Sequence, residues 1–547
     1  MTGRPNRRTL ALVGLALLVV SAGCLSSIGG SSAETDIQFR EVTEASGLDY
    51  RTDGGGAGNG NDGVYVADYD NDGWQDVLAV GGEQPTLFRN TGGSFVRVEK
   101  FPEFGGAVKG ALFVDYDGDG WEDLLVLRSH AAAVLLHNDE GVFERTETDL
   151  GNLTYPMGAT AADYDRDGDT DILVYQSGDW ADRKPEGYFS LYKFVDEDNG
   201  NRNVLYENTG TGFERVEGSG LSESSRWSLA ASFVDLNDDG LPDVHVANDY
   251  NTDVVYLNRG DGSFEERVLR GNTSRNGMSS EVADVNRDGR QDVFTTNIYL
   301  PLDEVADKER HERLRLLFGN VIKSGRTKGN TLMLNDGSGN LTDRAVAYGV
   351  RQGGWGWAAS LTDFDNDGDR DLLHTTQYVT RIDPDDPHYT YPMLFEREGE
   401  EFRNLDASAR NLTEHDGRGL VTLDYDRDGD RDVVVAPYDG RVTVYENVGA
   451  DANSIAFRVV TDAGSTVYGA EVVASTPGGP TTVQQTVQSD FLSQESRVTH
   501  LGLASRNRVD LTVTWPDGTE RTFEDVTANQ RVRITKDGVE TVAAYDE

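Results

Sequence analysis

Cysteine is almost missing from this chain: Cys24 is the only one in 547 residues. Disulfides are thereby excluded, and so is a thiol nucleophile anywhere beyond residue 24. Lysine is scarce too, present only at positions 100, 109, 184, 193, 308, 323, 328 and 536, so most of the 50 basic residues are arginine. They face 95 acidic residues, giving a formal net charge of −45. Binding of phosphate backbones needs the opposite sign, which excludes nucleic acid as a partner. An acidic surface poor in lysine suits molar salt, where screening removes self-repulsion and hydrated carboxylates maintain solubility. A halophilic microbe is the expected source. Long apolar runs are lacking as well: Leu10 to Val20 is too short to span a bilayer, and with Arg4, Arg7 and Arg8 before it reads as an export signal of Sec or twin-arginine type.

Directly after that signal stands Ser21-Ala22-Gly23-Cys24, which resembles a lipoprotein cleavage box, with Ser21 where Leu is usual. Residues 1–24 are therefore expected to be a signal peptide ending in a lipidated Cys24, and residues 25–36, rich in Ser and Gly, a flexible tether. The protein is expected to be exported and lipid-anchored on the outer face of the cell membrane, touching the membrane through that anchor alone. Asn152, Asn272, Asn340 and Asn411 stand in Asn-x-Ser/Thr sites that would permit glycosylation there.

The mature chain is organised by a nine-residue motif present seven times, with Asp at position 1, Asp or Asn at 3, Asp at 5, Gly at 6 and Asp at 9. Alternate side chains that point inward around a glycine turn are how a chain wraps a hard cation in oxygen. With a backbone carbonyl at position 7, each copy supplies a ligand set for Ca²⁺, so up to seven ions are expected. The first set is Asp68, Asp70, Asp72, Trp74 and Asp76; the second Asp115, Asp117, Asp119, Trp121 and Asp123; the third Asp163, Asp165, Asp167, Asp169 and Asp171. Then come Asp235, Asn237, Asp239, Leu241 and Asp243, and Asp284, Asn286, Asp288, Arg290 and Asp292. Asp363, Asp365, Asp367, Asp369 and Asp371, and Asp424, Asp426, Asp428, Asp430 and Asp432, complete the series. The fourth and fifth are the weakest, since Asn replaces a carboxylate. An EF-hand would close with Glu at position 12, where the first three copies have Ala79, Val126 and Val174 inside apolar β-branched runs, so these loops join strands.

Around each loop recurs an apolar strand, the loop, a second strand and a hairpin, as in 63–67, 76–80, 86–90 and 93–98. Seven such units predict an all-β chain: a seven-bladed β-propeller over 37–450, then a small β-sandwich-like domain over 451–540. The seventh unit lacks a fourth strand, which residues 36–43 are expected to supply by pairing with 441–446. Insertions near 176–200, 297–328 and 375–393 each come after a second strand and belong on the face opposite the loops. Residues 302–317 have helical composition.

The units resemble FG-GAP/VCBS repeats of integrin-type propellers. Tyr468-Gly469-Ala470-Glu471-Val472, His500-Leu501-Gly502-Leu503 and Val513-Thr514-Trp515-Pro516-Asp517-Gly518 resemble the ASPIC/UnbV domain of cartilage acidic protein and its microbial relatives. Ala504 departs from the glycine usual there. No histidine pair with metal-ligand spacing, nucleophile elbow or phosphate loop stands out, so no catalytic residue is assigned. The expectation is a monomeric, non-enzymatic surface protein for adhesion or for binding a glycan or protein. The alternatives are an extracytoplasmic enzyme on polysaccharide or glycoconjugate, and an envelope-assembly scaffold. Arg259-Gly260-Asp261 reads as a hairpin turn rather than an adhesion tripeptide, His245 and His374 as packed side chains, and Trp227, Trp355 and Trp357 as packing near the channel.

Overall fold

The computed structural model describes residues 36–545 except 55–61, 149, 179–199, 211, 270–273, 378–390 and 451, and except 301–327 apart from Lys308, Glu312 and Arg315. Cys24, the cores of the three insertions and nearly all of 302–317 thus lie outside the described residues. No helix among the described residues is long and apolar enough to cross a membrane.

The Asp-rich loops punctuate the chain into antiparallel four-stranded sheets. In the first, Gly63–Ala67, Asp76–Val80, Thr86–Asn90 and Phe95–Arg97 lie side by side in chain order. Five further sheets repeat this order, with first strands Val108–Val114, Pro156–Ala162, Ser225–Val234, Glu281–Ala283 and Gly356–Thr362. In the seventh, Gly417–Leu423, Asp432–Pro437 and Thr443–Asn447 are completed by Phe39–Glu41 from the other end of the chain, with Arg40 opposite Glu446. The first strands touch one another in chain order and the last touches the first, so the sheets close into a propeller-like ring. Apolar side chains fill the wedges between neighbours, including the closing one, where Val64, Val66, Phe88 and Phe95 meet Val421, Leu423, Val434 and Val444.

Residues beyond 450 form two more four-stranded sheets that share one core around Phe457, Val472, Leu501, Leu511 and Trp515. Their strands include Thr499–Ala504, Glu520–Thr527 and Val539–Ala544. This module lies across the loop-bearing face of the ring. Arg531 donates to Gly73 O at 2.7 Å and pairs with Asp68 at 3.3 Å, and Gly502 N–H donates to Asp363 Oδ2 at 3.0 Å.

From the same module a hairpin, Ser489–Asp490 and Ser493–Gln494, runs down the axis of the ring. Each first strand is a sheet edge whose inward N–H and C=O groups need partners, and the hairpin supplies several. Val64 N–H donates to Leu492 O at 3.1 Å; Gln494 both accepts from Phe113 N–H and donates to Phe113 O. Asp490 accepts from Ser280 N–H at 3.0 Å and Ala359 N–H at 2.6 Å, and Glu495 from Thr422 N–H at 3.0 Å. The approach requires glycine: a Cβ at Gly63 or at Gly419 would stand 2.6 Å from Leu492 O. Trp357 packs on Phe491 with ring centroids 4.6 Å apart, at the channel as the sequence suggests.

Candidate metal centres

Each acidic loop hangs from its ninth residue. Asp76 Oδ2 accepts the Tyr69 N–H at 3.1 Å and Oδ1 the Asn90 N–H at 2.7 Å, tying the loop to the third strand. Both bonds recur at Asp123, Asp171, Asp243, Asp292, Asp371 and Asp432, all of them buried. The glycine at position 6 has φ between +79° and +101° in every copy, backbone that glycine alone adopts freely. In six loops its N–H donates to the first aspartate. The N–H of position 7 (Trp74, Trp121, Asp169, Leu241, Arg290, Asp369 and Asp430) donates to the carboxylate at position 5.

That scaffold drives carboxylates together. Asp68, Asp70 and Asp76 bring ligand oxygens within 4.8 Å of one another, as do Asp115, Asp117 and Asp119, Asp163, Asp165 and Asp171, and Asp363, Asp365 and Asp371. These clusters could hold a metal ion. Burial first, then the neighbouring carboxylates, pushes Asp424 and Asp426 up to about 7. A buried oxygen of Asp70, Asp163, Asp363, Asp424 and Asp426 has no hydrogen-bond donor, in a fold where nearly all buried polar atoms should have one. All five belong to positions 1 or 3, so the donor set fits an oxygen-seeking cation. The fourth and fifth loops leave no such oxygen among the described residues. There Asn237 Nδ2 donates to Asp239 at 2.9 Å and Asn286 Nδ2 to Asp288 at 3.0 Å, so the amide takes part of the cation's place.

One determinant is not visible in the loop motif: the third-strand residue just before the one bonded to the ninth aspartate. It is Arg89, His137, Glu207, Leu257, Leu334, Glu396 and Glu446 in the seven repeats. Arg89 lies on its loop, 2.5 Å from Asp70 and 2.8 Å from Asp72. Glu446 instead adds negative charge beside Asp426. The alternation along each hairpin, with its side chains switching faces at every residue, is the signal that could have found it.

The other sequence candidates are structural. His245 Nδ1 is 2.9 Å from Ser280 Oγ, and His374 Nε2 is 3.3 Å from Asn330 Nδ2, both inside the core. Arg259-Gly260-Asp261 forms a turn in which Asp261 accepts from Ser263 N–H at 3.1 Å. Trp227 packs edge-on against Tyr250. At the ring mouth away from the loops, Asp62 is fully buried with neither carboxylate oxygen hydrogen-bonded, and burial pushes it up to about 8 despite Arg418.

Comparison with known proteins adds to this geometry. No curated protein matches the chain. Among solved structures, the extracellular domain of BT4673 from B. thetaiotaomicron is similar at 11% identity and a TM-score of 0.38, over 74% of this chain and 39% of that one. This chain therefore spans about two-fifths of that domain's chain. BBS1N in complex with ARL6DN is 7% identical with a TM-score of 0.43, over 76% and 99% of the two chains. A protein from Lactobacillus plantarum is 10% identical with a TM-score of 0.39, over 65% and 86%. Family models match at residues 68–126, 115–174 and 235–295, as FG-GAP-like repeats, and at 461–541, as ASPIC and UnbV. A combination of this kind points to an extracellular protein of binding type. The chain carries FG-GAP-like repeats and, C-terminal to them, an ASPIC and UnbV domain.

Proposed function

We propose that this is a calcium-loaded, lipid-anchored surface protein that binds a glycan or protein ligand, without catalysis, on the face of the ring opposite the acidic loops. The carrying observation is that the loop face and the axis are already taken, by the C-terminal module and its hairpin. A ligand is left the opposite face, where the insertions at 176–200, 297–328 and 375–393 begin and end, and inserted loops on a rigid scaffold are where recognition concentrates. Calcium would be held by the first, third and ninth carboxylates of the loops, with the fifth residue and the carbonyl of the seventh. Bound, it supplies fixed positive charge that neutralises the carboxylate clusters and rigidifies the loops under the C-terminal module. Export, the signal over 1–24 and lipidation at Cys24 complete the reading, with 37–450 and 451–540 as the two modules.

The test is a glycan array together with a surface-protein pull-down, using the protein from residue 25. A variant whose three insertions are shortened to the length of the first repeat should fold and bind calcium but lose the ligand. Equal binding by both would overturn the assignment of the face. A second reading, an extracytoplasmic enzyme on polysaccharide or glycoconjugate, has one observation in its favour: the buried, unpartnered carboxyl of Asp62, which burial pushes up to about 8. Turnover of a polysaccharide that is lost in Asp62→Asn while binding persists would establish it over the binding reading.

A further inference from the structure

In the second repeat the residue leaning over the loop is His137. It comes from strand Val134–Asp139, where Glu144 is its cross-strand partner. Its Nδ1 stands 3.1 Å from Asp117 Oδ2 and 3.2 Å from Asp123 Oδ1. This nitrogen is buried and makes no hydrogen bond, although the outer part of the ring is exposed. Both carboxylates stand at ion-pair distance from it, with no hydrogen bond aligned to either. That nitrogen and one oxygen of each carboxylate lie within 4.8 Å of one another, close enough together to be ligands of a single ion.

Asp117 is shared. It belongs equally to the loop's own oxygen triad with Asp115 and Asp119. A cation entering the second loop thus finds a nitrogen ligand that no other repeat offers, since the equivalent residues are Arg89, Glu207, Leu257, Leu334, Glu396 and Glu446. Calcium is a hard ion that takes oxygen ligands, whereas imidazole suits zinc and the neighbouring first-row divalent metals, which also accept carboxylates.

We propose that the second loop is a mixed nitrogen–oxygen site, formed by Asp117, Asp123 and His137, that takes a first-row transition divalent cation of the zinc type in place of calcium. The inference rests on the reading of the loops as cation sites, but it is separable from the identity of the ion in the others. Zinc would complete its shell there with water or with a second loop carboxylate.

The experiment is calorimetric titration of the chelator-stripped full protein with Zn²⁺ in excess Ca²⁺, alongside elemental analysis and the absorption spectrum of the Co²⁺-loaded form. One equivalent of Zn²⁺ should bind despite the calcium, and Co²⁺ should show ligand-field bands of a nitrogen-containing site. His137→Asn should weaken Zn²⁺ by at least about tenfold, and His137→Asp should turn the loop toward Ca²⁺, adding one calcium equivalent. Unchanged melting temperature and calcium uptake by the remaining loops show that the variants are folded. Zinc uptake that is equal in His137→Asn, or no zinc uptake at all, overturns the inference. Zinc uptake dependent on His137 with no calcium bound anywhere upholds it and overturns the calcium reading instead.

Discussion

Arg89 and Glu446 occupy the same place in two repeats and do opposite things to the loop beneath them. The Arg89 guanidinium already neutralises Asp70 and Asp72, so it competes with any incoming cation. Replacing it by alanine should raise calcium affinity at the first loop by roughly fivefold, the equivalent of about 1 kcal/mol for a half-exposed pair; calorimetry against the parent measures it. A second residue-level expectation concerns acid. Burial pushes His374 and His415 down to about 4. Each stabilises the fold fully above the unfolded value near 6.5, and that contribution is lost as pH falls toward 4, because the unfolded chain then binds protons the folded one excludes. His415→Phe should therefore flatten the acid limb of stability against pH by up to about 1.4 kcal/mol per unit. A chemical-denaturation series from pH 7 to 4 reads the slope; an unchanged slope would mean the ring is solvated.

The carboxylate clusters were legible because a nine-residue spacing is local, and Asp163, Asp363 and Asp424 stand in the structure where that spacing puts them. His137 was not, because its carboxylate partners lie 20 and 14 residues away in sequence and meet it only through the hairpin geometry of the sheet.

At the scale of elements, strand pairs read well wherever the loop and hairpin turns bracket apolar runs. The closing strand is shorter than its sequence suggested, Phe39–Glu41, with a one-turn helix Thr43–Ser46 behind it. Phe39 is fully buried and meets Phe364 edge-on at 5.6 Å, Asn411 Nδ2 donates to Phe39 O at 2.9 Å, and Val42 N–H donates to Val444 O. A protein starting at residue 46 loses these bonds and a buried phenylalanine, on the order of 3–6 kcal/mol. It should aggregate or melt far earlier than one starting at 33, and equal melting curves would show that the ring closes without this strand. The axial hairpin was illegible. Residues 489–494 show no alternation that marks a strand, because the two-residue strands Ser489–Asp490 and Ser493–Gln494 pair only with each other and with the inner edges of the ring's sheets. Gly63→Ala forces a Cβ onto Leu492 O, so it should destabilise by roughly 1–3 kcal/mol and loosen the hairpin, seen as faster amide exchange at Val64.

For the molecule as a whole, the two modules are joined through the loops. Asp68 pairs with Arg531, Asp363 accepts from Gly502, and Asp284 accepts from Thr482 N–H at 3.3 Å. Cations that bind only the folded state stabilise it by mass action. Chelation at constant salt should accordingly lower the melting temperature and expose the interface around Arg531 to proteolysis first. An unchanged melting curve with no calcium by elemental analysis would sink the calcium reading. Separately, Cys24→Ser should release the protein from membranes.

The closing strand also sets a timetable for synthesis. Arg40 and Glu446, ion-paired across the seam, are 406 positions apart in the chain. At ribosomal rates of about 5–20 residues per second, the strand made first waits roughly twenty to eighty seconds for its partner. The axial hairpin arrives later still, since Ser489 comes after the last strand of the ring. Until then the blade edges that the hairpin meets stand bare, so the nascent chain has a long interval in which strangers could pair with it. Such a protein gains from being held unfolded until its last residue is made, and its assembly should depend on a holding chaperone or on delivery across the membrane before folding begins.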